Sequence, residues 1–203
     1  MKLTLTLAAL TLSCTATAQV RTGIDVLATD DCQRLQGRKV GLITNHTGRT
    51  VDGRRTVDVI AEAEDVELVA LFSPEHGWDG VLDEKVGDSR DRRTGLPVYS
   101  LYGENRAPTD AMLRGVDTLV FDIQDIGCRF YTYVSTMRNA LEAAAARDLR
   151  FVVLDRPNPI GGLEIAGPIL ADERRDFVGA HRLPLRHGMT AGELARMMVG
   201  EDG

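Results

Sequence analysis

The sequence predicts an α/β fold: an open, doubly wound, mostly parallel sheet with helices on both faces. Three observations carry this expectation. Four segments are apolar almost without alternation, as strands buried on both faces must be. Segments of helical period lie between them. The order βαβ…βαβαβ, with right-handed crossovers, leaves a doubly wound sheet as the natural arrangement.

The four strands are expected over residues 39–45, 66–73, 118–123 and 151–155, and a shorter one over 97–101. A helix is expected over 56–63. A second opens after Pro108 over 109–114 and stops at Gly115. A third, over 132–147, carries Val134, Met137, Leu141 and Ala144 on one stripe. Thr190 and Glu193 form a capping box, and Ala191, Leu194, Ala195 and Met198 continue it as an apolar stripe. That stripe needs a surface to cover, so the sequence reads as a fragment of a longer protein.

Composition bounds the rest. The chain has 203 residues, 43% hydrophobic, enough for one domain with a core, with 24 basic and 30 acidic side chains. A formal charge of −6 gives no electrostatic footprint for nucleic acid, and no apolar run reaches membrane-spanning length. Residues 1–18 read as a secretory leader: Lys2, an apolar stretch, then Ala16-Thr17-Ala18 before Gln19. The expected organisation is therefore a leader over 1–18 and one catalytic domain over 19–203, exported to the periplasm or beyond. Lipid anchoring through Cys14 is the lesser alternative, because Thr11-Leu12-Ser13 matches the residues before a lipidated Cys poorly. Cys32 and Cys128 flank different strands and are expected to be buried free thiols.

Ligands of open α/β sheets bind outside the carboxyl ends of the strands. Here those ends read Asn45-His46-Thr47-Gly48, Pro74-Glu75-His76-Gly77, Asp122 to Gly127 followed by Arg129 and Tyr131, and Asp155-Arg156-Pro157-Asn158. Polar groups followed by Gly or Pro suit a rigid polar crevice, and equally suit plain strand caps. The common nucleotide, serine-hydrolase and zinc signatures are missing, and no His spacing supports a metal. What remains is carboxylates: Glu75, Asp122, Asp125 and Asp155. Paired carboxylates break glycosidic bonds, one of them kept protonated by burial to serve the leaving oxygen. Glu75 is best placed, after an apolar strand and Pro74 and beside Trp78. The competing use is a Glu paired to an Arg across the crevice. Asp122 and Asp125 have a competing use too, orienting Arg129 or capping the following helix.

The motifs GLITNHTG, LFSPEHG, FDIQDIGCRFYTY, LDRPNPIGG, Gly167-Pro168 and LPLRHGMTAGELA, in this order from Gly23 to Met198, resemble the NamZ-like exo-β-N-acetylmuramidase family. The resemblance implies a Rossmann-like N-terminal domain bearing the cleft, and a smaller C-terminal domain beyond it. It implies release of N-acetylmuramic acid from non-reducing ends of peptidoglycan-derived saccharides, without metal or organic cofactor. On it, the acid falls on Glu75, while Asp122 and Asp125 fall on the cleft walls and are the candidates for further catalytic carboxylates. The cleft walls fall on Asn45, His76, Arg129, Tyr131, Asp155, Asn158 and His187. Muramic acid carries an ionised lactyl carboxylate, for which Arg129 is the expected clamp and Arg156 its neighbour. A salt bridge from Arg129 to Asp122 or Asp125 is the competing use. A non-catalytic wall-fragment binding protein is the alternative function.

Overall fold

A computed structural model describes residues 20–75 and 88–202. The leader expected over 1–18, His76 and Trp78 lie outside the described residues. Six strands form one sheet: β1 Lys39–Thr44, β2 Glu67–Ser73, β3 Ser89–Arg90, β4 Pro97–Ser100, β5 Thr118–Asp122 and β6 Arg150–Val153. Their order is β3-β4-β2-β1-β5-β6, parallel except for the antiparallel edge pair β3–β4. The helices are α1 Gly23–Thr29, α2 Thr56–Ala61, α3 Tyr133–Ala145 and α4 Ala191–Asp202.

The continuous apolar runs form a sheet covered on both sides. On one face Ile43, Phe72, Leu119 and Phe121 pack beneath α3 and α4, which contribute Met137, Ala140, Leu194 and Met198. On the other, Val40, Leu42, Leu71 and Val120 pack beneath α1 and α2, through Ile24, Leu27, Val57 and Ile60. Alternate residues of β1 and β5 therefore serve opposite cores, the period of two that a doubly covered strand requires. Gly41 marks a close approach: a Cβ there would meet the Phe72 ring at 2.9 Å and Leu119 at 3.0 Å. The bulk of Phe72 fills the space this glycine leaves.

Two α-helical segments differ from expectation. Residues 109–114 form a turn rather than a helix: the Leu113 N–H reaches the Thr109 carbonyl at 3.0 Å, and Gly115 at φ 82° ends the run. Conversely, α1 forms without a long apolar period, because Asp25 accepts the Thr22 N–H at 3.0 Å and hydroxyl at 2.7 Å at its amino end. Cys32 is buried, Cys128 half-buried, and both are free thiols. Burial and the neighbouring Asp30 and Asp31 push the Cys32 thiol up to about 11, so it stays protonated and inert.

The strand order sets the site. From central β1 the chain runs outward through β2 to β4, then returns to β5 on the other side of β1 and on to β6. The switch point lies between β1 and β5, where Thr44 pairs with Asp122. Among the described residues no helix is long and apolar enough to cross a membrane.

Candidate active site

A continuous polar ridge runs along the carboxyl edge of the sheet. Beyond β1, Asn45 accepts the Thr47 N–H at 2.9 Å and its hydroxyl at 2.6 Å, and the Thr47 oxygen accepts the Gln124 N–H at 3.0 Å. The loops after β1 and β5 are thereby locked together across the switch point.

Glu75 stands at the end of β2, half-buried. Thr132, the residue preceding α3, donates its hydroxyl to Glu75 Oε2. The Tyr102 hydroxyl also hydrogen-bonds Glu75, and this contact holds the phenol above its ordinary value. Register explains Tyr102: β2 and β4 pair Ser73 with Ser100, and the Leu101 N–H extends the ladder to the Ser73 carbonyl at 2.8 Å. Two residues further along each strand bring positions 75 and 102 side by side. Among the described residues no Arg or Lys pairs with Glu75, so the competing cross-crevice ion pair is not formed there. Two hydroxyls orient the carboxyl instead.

Beside Glu75 stands Tyr133, with Tyr131 edge to face against it, ring centroids 4.5 Å apart. Burial pushes the Tyr133 phenol upward, as do its hydrogen bond to Tyr131 and the charge of Glu75, while the Asn45 amide pulls the other way. Tyr133, Thr132 and Tyr102 were missed at the level of sequence. The first two stand in the same motif as Tyr131 and could have been found by extending it; Tyr102 could be found only through the register of β2 and β4.

The other expected carboxylates lie beneath the ridge. Asp122 is fully buried, held by Arg156 through Nε–Oδ1 at 2.7 Å and Nη2–Oδ2 at 3.1 Å, with the Thr56 hydroxyl on Oδ2. Burial pushes this carboxyl up, against the pull of Arg156 and Thr56. The Arg156 Nη2 also donates to the Arg49 carbonyl at 2.9 Å. Asp122 as a catalytic carboxylate and Arg156 as a substrate contact are both corrected: they are an internal ion pair tying β5 to the segment after β6. Nor does Asp122 orient Arg129, which donates from Nη1 to the Pro168 carbonyl at 2.8 Å and to the Leu183 carbonyl. The expected clamp and its competing salt bridge both give way to a brace for the arm between residues 166 and 186.

Asp125 and His187 are also buried. The Met189 N–H donates to His187 Nδ1 at 3.3 Å, so Nε2 carries the proton toward Asp125 Oδ2 at 3.1 Å. That oxygen also accepts the Gly127 N–H at 2.6 Å. The pair clamps the turn after β5 to the loop preceding α4, which corrects both the catalytic expectation for Asp125 and the wall expectation for His187. Asp125 Oδ1 is buried without a hydrogen-bond partner among the described residues.

Asn158 braces the same region, donating to the Met189 carbonyl at 2.9 Å and accepting the Ile160 N–H at 3.1 Å. Asp155 serves the start of α4, accepting the Thr190 hydroxyl at 2.7 Å and the Gly192 N–H at 2.8 Å. Gly192 is required by this approach: a Cβ there would meet the Asp155 carboxyl at 2.8 Å. The Thr190–Glu193 capping box forms as expected. Asn158 and Asp155 thus brace a loop and a helix, and both remain half-exposed. Replacing Asp155 by Ala should cost about 1–2 kcal/mol through the lost cap. That is a fall of roughly 2–8 °C in Tm for a domain of this size, readable by calorimetry. An unchanged Tm would show that Thr190 and Glu193 hold α4 alone.

Among the described residues no group of three or more His, Cys, Asp or Glu could hold a metal ion.

The chain is similar to several known proteins. The sequence model described as exo-β-N-acetylmuramidase NamZ, N-terminal, matches residues 40–203. A curated relative, the peptidoglycan β-N-acetylmuramidase NamZ of Bacillus subtilis (strain 168), is 51% identical over 185 residues, covering 90% of this chain and 45% of the relative. A crystal structure of a DUF1343 family protein from Bacteroides fragilis NCTC 9343 superposes with a TM-score of 0.84 at 51% identity, over 90% of this chain and 46% of that one. A second from the same organism gives 0.78 at 36% identity, over 91% and 48%. The chain thus spans about half the length of the relatives it matches.

Proposed function

Since the chain belongs to the NamZ exo-β-N-acetylmuramidase family, we propose that it serves hydrolysis of the β-1,4 bond after a terminal N-acetylmuramic acid in peptidoglycan fragments, with Glu75 as general acid. One observation carries the assignment of Glu75. Of the four carboxylates at the strand ends, it alone among the described residues is half-open and tied to neither a cation nor a backbone N–H.

A glycosidic oxygen leaves readily only when protonated as the bond to the anomeric carbon breaks. The Glu75 carboxyl supplies that proton and becomes a carboxylate. Thr132 and Tyr102 hold it in one orientation throughout, so no rotamer search is needed at the moment of transfer. Tyr131, half-buried against Tyr133, offers an aromatic surface to the sugar. A leader over residues 1–18 suits a substrate lying outside the cytoplasm, and we place the activity in the periplasm or beyond.

The test is incubation with a disaccharide ending in N-acetylmuramic acid, followed by chromatography. Free N-acetylmuramic acid is the expected product. Saturable binding without release would make the chain a wall-fragment binding protein instead.

A further inference from the structure

N-acetylmuramic acid differs from N-acetylglucosamine by a lactyl ether on O3, ending in a carboxylate. An enzyme that tells them apart needs a cation within one sugar ring of its acid. The arginines first expected there are occupied: Arg156 by Asp122 and Arg129 by two carbonyls. Their neighbours are occupied as well. Arg138 donates to the Ala180 carbonyl at 2.9 Å and pairs with Glu142 at 3.0 Å. Arg175 shares that carbonyl at 3.2 Å and faces Asp172. Arg186 pairs with Glu164 at 2.6 Å.

Arg106 differs from all of these. Its guanidinium lies over the Phe177 ring, 4.4 Å from the centroid, and among the described residues it makes neither a hydrogen bond nor an ion pair. The same ring packs against Tyr102 at 6.3 Å between centroids, and Tyr102 hydrogen-bonds Glu75. Acid, phenol, aromatic ring and cation therefore form one row, in which Arg106 is close enough to act electrostatically on the Tyr102 hydroxyl. Arg106 also lines a cavity of about 340 Å³ with Arg138, Arg175, Phe177 and one carboxylate, Asp176, which is turned to the Val178 and Gly179 N–H groups. Stacking fixes the guanidinium plane through its face and leaves its N–H edge for a planar anion.

We infer that Arg106, stacked on Phe177 and joined through Tyr102 to Glu75, is the residue that reads the lactyl carboxylate of the substrate. This rests on the function proposed above and assigns its specificity. It replaces Arg129 in that role. The contact forms on binding and persists through the reaction, so it is felt in KM more than in kcat.

The experiment compares the chain with Arg106→Gln and Arg106→Lys on three substrates: the muramic-acid disaccharide, its lactyl methyl ester, and the N-acetylglucosamine analogue. Arg106 is exposed, so both variants should keep the parent Tm. For Arg106→Gln, KM for the acid should rise about 10- to 100-fold, the range of a hydrogen bond to a charged group, with kcat little changed. KM for the ester and the analogue should not move, and Arg106→Lys should recover part of the loss. Added salt should erode the parent's preference for the acid and leave Arg106→Gln indifferent. If the parent cleaves and prefers acid over ester, and Arg106→Gln keeps that preference, Arg106 is not the reader. A parent that cleaves acid and ester alike overturns the inference and leaves the proposed function standing. A parent that cleaves none of the three overturns the proposed function itself.

Discussion

Glu75→Gln is expected to lower turnover of a muramic-acid-terminated disaccharide by ~10²–10⁴-fold, the usual contribution of a general acid. In barrier terms that is about 3–5 kcal/mol. Gln keeps the shape of Glu and a carbonyl oxygen for the Thr132 and Tyr102 hydroxyls, but it has no proton to transfer. KM and Tm should therefore stay close to the parent values, which separates lost chemistry from lost structure. A variant with near-parent turnover would make Glu75 a crevice wall.

Arg156→Ala is the corresponding experiment on stability. It strands the Asp122 carboxylate, fully buried, with only the Thr56 hydroxyl and a low-dielectric surrounding. Breaking a buried pair by removing one partner typically costs about 3–5 kcal/mol. The loss here also releases the Arg49 carbonyl and unties β5 from the segment after β6. Urea denaturation should show this as a large drop in midpoint at similar slope. The double replacement Asp122→Leu with Arg156→Met, which leaves no stranded charge, should recover most of it. A small effect of Arg156→Ala alone would mean that water reaches Asp122, and that the carboxylate belongs to the crevice after all.

The strands were legible because burial on both faces writes an unbroken apolar run, and no other short element does so. Two-residue β3 was not, since Ser89 and Arg90 are both exposed and carry no pattern. Positions 109–114 had helical punctuation at both ends, yet the backbone closes only a turn there, with the Leu113 N–H on the Thr109 carbonyl. The polar ridge along the carboxyl edge was legible too, because polar side chains at the carboxyl ends of parallel strands are a local signal. What that signal could not convey was which carboxylates face outward. Asp122, Asp125 and Asp155 read no differently from Glu75 along the chain. Each is withdrawn by a partner distant in sequence: Arg156, His187 and the residues opening α4. The expectation for Arg129 failed for the same reason, since its acceptors are backbone carbonyls on an arm that no motif marks. Tyr102 carries no such signal because its place beside Glu75 exists only once β2 and β4 are in register.

The dependence of Glu75→Gln on the leaving group tests the assignment of the acid most directly. A nitrophenyl muramide departs as a stable phenolate and needs little protonation, whereas the sugar alcohol of the disaccharide cannot leave without it. Rates for both substrates should be measured with the parent and with Glu75→Gln. The account predicts that the disaccharide rate falls by the ~10²–10⁴-fold of a lost general acid while the nitrophenyl rate falls far less. Equal losses on both substrates, or no loss on the disaccharide, would contradict Glu75 as the proton donor.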